Sequence, residues 1–332
     1  MVNIFKTTDM FGLGPAIMDY FAFIPENEVN YNYYKLRHPG EIYNLVTTRL
    51  ITDVIILSHK VTNYNEETDD IYPYFRMVLY DLFKFYDSCF EIMLCFAEKH
   101  PDRPTGFVDR WLEKKHYMIV SDFKDNFKND VELIFLKNLY NKLKHTSSEI
   151  RFLKVNSQDE IGFGYWLEVA NDHGGVEPDS PPTSIASEIR RIQYMIYKIS
   201  DALLEALKVH VSLYFPDNTY LHQLRDVEDT MFFHLHETVR DFPLFFLKSE
   251  KHNIYYKSNF LKNNNGNHIE FSKELISEDL INKYFTSPVH GGFTNSGDGY
   301  TRQFAMPHMG LTNEKLNDFN LHDISKHPPK LI

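Results

Sequence analysis

The chain has 332 residues, a formal net charge of −11 and a hydrophobic content of 43%, with 27 Phe and 21 Tyr. That length suits one large domain or two ordinary ones, and the aromatics supply enough apolar area for a proper core. The acidic balance argues against broad, nonspecific binding to nucleic acid or membranes, but it leaves room for a local basic pocket built from Lys114, Lys115, Lys137, Lys142 and Lys144.

Residues 1–40 hold Gly12, Gly14, Pro15, Pro25, Pro39 and Gly40 and a tyrosine-rich run from Tyr31 to Tyr34. They read as an irregular arm or short elements packed by aromatics, with a boundary at Pro39-Gly40. Met1–Phe11 carries one lysine and no sustained apolar core, so no secretory signal is expected. The spacing of Ile42, Leu45, Val46, Leu50, Val54, Leu57 and Val61 predicts a helix over Glu41–Val61. The polar, acidic stretch Asn63–Asp70 reads as a loop, and Tyr72–Lys99 as a second helix with a broad apolar stripe. Cys89 and Cys95 fall on different faces of that helix, so they read as two buried thiols of a reducing cytosol. No apolar run approaches the ~20 residues needed to span a bilayer, so a cytoplasmic location without membrane attachment is expected.

Pro101, Pro104 and Gly106 break the helical pattern. A third helical region covers Phe107–His145 in two pieces, with Asn129-Asp130 as the interior N-cap. Ile161, Phe163, Tyr165, Leu167 and Val169 then alternate, so residues 150–169 read as a β-hairpin. A helix capped at Thr183 or Ser184 runs to about Tyr214, with Ile185, Ile189, Ile192, Ile196, Ile199, Leu203, Ala206 and Leu207 on one face. Residues 216–332 change character: a possible helix at Asn218–Arg240, strands at Asn253–Phe260 and His268–Phe271, a short helix at Ser272–Phe285, and coil from 286 onward. The expected fold is therefore mainly α, a helical bundle over 41–215 with a β-hairpin insertion, preceded by the arm and followed by a small C-terminal α+β extension.

The best chemical constellation lies at the end of the third helical region, Tyr140-Asn141-Lys142-Leu143-Lys144-His145. Asn141 and His145 sit one turn apart on a single face, with two lysines in the same turn. A neutral histidine can take a proton near pH 7 and a lysine can steady developing phosphate charge. Cleavage of RNA needs little more: a base for the 2′-hydroxyl and a cation for the phosphorane, with no metal or other cofactor. A structural role is equally open, because Lys and His in a last helical turn meet the helix dipole and Asn141 could bond to the backbone that follows.

A helix of a bundle closing on Asn-x-x-x-His resembles the HEPN superfamily, over about residues 41–215. That family's signature is an Arg, then a polar residue, then a His a few positions on. Asn141 takes the polar position and His145 the histidine position, whereas the Arg position falls on Tyr140. The resemblance implies an RNA- or nucleotide-directed protein, a metal-independent endoribonuclease of a bacterial stress or anti-phage system. His145 would be the base, Asn141 its orienter, Lys144 the phosphate contact, and Lys142 and Arg151 substrate-binding residues. Lys144 or Arg151 would substitute for the missing Arg. It further implies a homodimer in which the motif helices meet.

The rival reading is an inactive helical scaffold that binds a protein partner through its C-terminal extension. Other patterns carry less. Arg110 and His116 fall on different faces of an ideal helix. His234-x-His236 shares a face only on a strand and lacks a third metal ligand. Gly291-Gly292 and Ser296–Gly299 read as a surface loop, with no helix start to follow.

Overall fold

The computed structural model describes residues 14–15, 17–22, 24, 29–63, 71–145, 149–157, 160–170, 176–178, 183–211, 231–235, 238, 261–263, 269–271, 288–294 and 301–307. The described residues are mainly helical. The helices are α1 (Ile17–Ala22), α2 (Tyr31–Tyr34), α3 (Pro39–Thr62), α4 (Tyr72–Phe96), α5 (Val108–Lys114), α6 (Met118–Asp125), α7 (Val131–His145) and α8 (Ile185–His210).

Helices α3 and α4 form an antiparallel pair. Tyr43 meets Phe85, Arg49 meets Asp81 and Lys60 meets Tyr74, so positions advance along one helix as they retreat along the other. Helix α3 begins on Pro39, whose missing N–H costs nothing there, and His38 Nδ1 accepts from Gly40 N at 3.2 Å. The expected stripe is buried at Ile42, Val46, Leu50, Val54, Leu57 and Val61; Leu45 instead is 55% exposed, and Ile51 joins the core fully buried. A stripe read at helical spacing leaves about one position of play, and packing against α4 decides it.

The tyrosine-rich arm caps α4. Asn30 N donates to Cys95 O at 2.7 Å, and Asn30 Nδ2 to Ala97 O at 2.8 Å. Tyr33 Oη donates to His100 O at 2.7 Å, and Tyr34 Oη to Glu98 O. The Asn30 donors serve carbonyls at the end of α4, and the tyrosines tie down the backbone that follows it. Phe21 packs on Tyr43 and Tyr20 on Phe96, which ties α1 to the same pair.

The region 107–145 breaks twice rather than once. Besides the expected N-cap, where Asp130 Oδ1 accepts from Leu133 N at 2.7 Å, a stop separates α5 from α6. His116 sits at φ 62° while its N–H returns to Glu113 O at 2.9 Å and that of Tyr117 to Leu112 O at 3.1 Å. This is a left-handed helix terminus with histidine where glycine is usual.

Helix α8 buries Ile185, Ile189, Ile192, Ile196, Ile199, Leu203, Ala206 and Leu207. Ser200 Oγ reaches Tyr43 Oη at 2.7 Å in the core, and His210 Nε2 reaches Asp122 Oδ2 at 2.6 Å near the helix end. Before it come β1 (Glu149–Ser157) and β2 (Glu160–Ala170), antiparallel with Arg151 opposite Trp166. Tyr165 of β2 is buried against Phe75 of α4. β3 (Val176–Pro178) and β4 (Thr183–Ser184) both pair with β2.

In the C-terminal region residues 231–235 are helical, and Phe232 packs on Tyr197. β5 (Leu261–Asn263) pairs with β6 (Ile269–Phe271). The strand expected at Asn253–Phe260 and the helix expected at Ser272–Phe285 lie outside the described residues. Within the stretch expected as coil, β7 (Pro288–Thr294) pairs antiparallel with β8 (Thr301–Pro307). Gly291 and Gly292 therefore belong to a strand, opposite Phe304 and Gln303. Backbone pairing overrides the low strand propensity of glycine there.

Candidate functional site

Helix α7 is pinned at its start by buried ion pairs and packs along its length through leucines. Leu133, Leu136, Leu139 and Leu143 recur at helical spacing and are all buried. The Asp130 cap also pairs with Lys198 of α8. One turn on, Glu132 Oε2 accepts from Arg191 Nε at 2.5 Å, and Arg191 Nη1 donates to Glu188. Arg191 lies 4.2 Å from the centroid of the Phe135 ring. Burial pushes the Glu188 carboxyl above its ordinary range, against the pull of Arg191.

With the leucines turned inward, the last turn presents Asn141, Lys144 and His145 to solvent, while Lys142 is half-buried. Asn141 and His145 continue one exposed stripe with Val131, Ile134 and Asn138. Val131 is 72% and Ile134 42% exposed, unusual for residues of their kind. The His145 ring forms no hydrogen bond or ion pair with a described residue. Its imidazole is exposed, with Asn141 one turn below.

Lys144 belongs to the neighbouring stripe. Its Nζ stands 5.5 Å from the Tyr140 ring centroid, and Tyr140 stacks on Phe83 of α4 at 5.0 Å and 27°. Together with Tyr72, Pro73, Arg76, Met77, Tyr80 and Leu143 these residues line a cleft of about 460 Å³ between α4 and α7. Arg151 lies on β1, beyond residues 146–148, and its side chain is outside the described residues. The structure thus brings Asn141, Lys142, Lys144 and His145 onto one helical turn, with the amide and imidazole on one stripe and Lys144 on the next.

Sequence reasoning overlooked the α4 side of that cleft. Its signal was Tyr72-x-x-x-Arg76-x-x-x-Tyr80, an aromatic and cationic stripe beside the apolar one.

Arg110 and His116 are separated by the left-handed stop, and Arg110 instead covers the exposed Phe107 ring at 4.6 Å. His234 stands in the helical segment 231–235 and lines a hollow of about 630 Å³ with His59, Thr52 and Thr238. His236 lies outside the described residues, as do Ser296–Gly299. Cys89 and Cys95 are free and buried, donating to the carbonyls of Phe85 and Glu91, and burial pushes the Cys95 thiol up to about 12. Among the described residues no three His, Cys, Asp or Glu side chains gather as a metal site, and no helix is long and apolar enough to cross a membrane. No protein-family model, curated protein or solved structure matches this chain.

Proposed function

We propose that this chain is a HEPN-type protein acting on RNA, a metal-independent endoribonuclease of the cytoplasm that works as a homodimer. One observation carries the reading: an amide and an imidazole with no partner among the described residues stand one turn apart, exposed, on the last turn of a helix whose first turn is pinned by buried ion pairs. A rigid support is what positional catalysis needs.

In this reading His145 accepts the proton of a ribose 2′-hydroxyl, and Asn141 holds the ring in register. The 2′-oxygen attacks the adjacent phosphorus. Lys144, with Lys142 behind it, offsets the charge of the phosphorane. The 5′-oxygen of the next nucleotide then leaves, taking a proton from the imidazolium, and a 2′,3′-cyclic phosphate remains. Tyr140 stands where the family's Arg would be, so the lysines carry the electrostatic part. The stripe Val131, Ile134, Asn138, Asn141 and His145 repeats at the spacing of a helix–helix seam. Two such stripes across a twofold axis would set His145 near its mate.

The absence of Arg at position 140 favours the second reading, an inactive scaffold whose C-terminal region binds a protein partner. Purified protein with total RNA and tRNA in chelator separates the two. We expect cleavage that falls roughly 100-fold or more in His145→Ala. No cleavage, or equal cleavage by the variant, removes the enzymatic reading.

A further inference from the structure

The cleft between α4 and α7 is lined by tyrosines and two cations. Tyr72, Arg76 and Tyr80 occupy one stripe of α4, each a turn from the next, and Tyr140 and Lys144 do the same on α7. Arg76 is therefore flanked by two tyrosines, and Lys144 has the Tyr140 ring one turn before it. Met77 and Tyr80, 43% and 48% exposed, leave apolar surface open to water in the same place. Among the described residues no carboxylate lines the cleft, although the chain as a whole carries a net charge of −11. Arg76 makes no ion pair with a described residue, and Lys144 leans on the Tyr140 ring rather than on an acid. Phe83 backs Tyr140 and fixes its plane.

The exposed Tyr80 ring asks for a flat, polarisable partner, and two cations with no acid partner among the described residues ask for an anion. We infer that this cleft binds one nucleotide unit, free or at the end of a single strand. Its base stacks on the tyrosines, and its phosphate meets Arg76 and Lys144. A cleft of about 460 Å³ has room for one such unit. Base–tyrosine stacking tolerates any base, so the site selects for a phosphorylated nucleoside rather than for sequence. This goes beyond the proposed cleavage, because binding here needs neither His145 nor turnover.

Equilibrium titration of the full chain with AMP, adenosine and a 5′-phosphorylated adenosine pentanucleotide tests it. AMP should saturate one site and bind at least tenfold more tightly than adenosine. Tyr80→Ala should weaken AMP by tenfold or more, and Tyr80→Phe should restore it. Arg76→Gln should weaken AMP severalfold and flatten its salt dependence. His145→Ala should leave the affinity unchanged, which keeps this result separate from the cleavage assay. Equal affinity for AMP and pentanucleotide indicates a free nucleotide as ligand, whereas a much tighter pentanucleotide indicates a strand end. The inference is overturned if no titrant saturates, if adenosine binds as well as AMP, or if Tyr80→Ala and Arg76→Gln, folded by their melting curves, bind as wild type does.

Discussion

Replacing Arg191 with methionine should destabilise the chain by about 3–5 kcal/mol, a fall on the order of 10 °C in thermal melting. The Arg191 side chain is 5% exposed and sits between Glu132 and Glu188, whose side chains are 9% and 0% exposed. Methionine keeps the bulk and the contact with Phe135 but leaves two buried carboxylates without their cation. Their recourse is to take up protons. Burial already raises the Glu188 carboxyl while Arg191 holds it down, so without Arg191 it rises further. An acid whose folded pKa is raised contributes stability at low pH and loses it as pH climbs through that pKa. The deficit should therefore be smallest near about pH 5 and grow toward about pH 8. Converting Glu132 and Glu188 to glutamine in the same chain should recover much of the loss. Circular dichroism melts at the two pH values decide it; a pH-independent deficit, or none, would show that the pairs are not desolvated.

Asp53→Asn should remove a decline in stability that the wild-type chain shows between about pH 4 and pH 8, leaving the variant more stable at the alkaline end by about 1–3 kcal/mol. Asp53 and Asp81 meet across α3 and α4, with Arg49 Nε donating to Asp81 Oδ2 at 2.8 Å. Asp53 Oδ2 and Asp81 Oδ1 are buried and without another partner. A proton held on Asp53 would satisfy both oxygens. Burial, then the hydrogen bond and charge of Asp81, hold Asp53 up at about 7, and Arg49 offsets only part of this. The raised pKa puts the stabilisation below the ordinary carboxylate range and removes it as pH rises through 7. Parallel melting-temperature curves for wild type and variant across that window would contradict the proton held on Asp53.

The elements that were plain in the sequence are those whose cause is local. Helices α3, α4 and α8 announce themselves because long apolar stripes have one period, and Asp130 reads as a cap because its side chain serves a backbone three residues on. The stop after α5 was illegible because His116 holds a left-handed position that glycine or asparagine normally marks. The arm's role was hidden for another reason: its tyrosines bond to carbonyls 64 and 67 residues away. The same holds for the buried polar groups, since Arg49 finds Asp81 at a separation of 32 residues and Arg191 finds Glu132 at 59. At the site, the last turn of α7 could be read because Asn141 and His145 are one turn apart. The cleft could not, because Tyr80 and Tyr140 come to line one cleft only once α4 and α7 are packed.

The central claim is that RNA seats on the His145 ring. Carbethoxylation of histidines by diethyl pyrocarbonate, read residue by residue in a mass spectrometer with and without RNA, tests it most directly. The account predicts that His145 reacts quickly in the free protein and severalfold more slowly under saturating RNA, while the exposed His116 keeps its rate. A His145 that resists the reagent alone, or that reacts equally fast with RNA present, would contradict it.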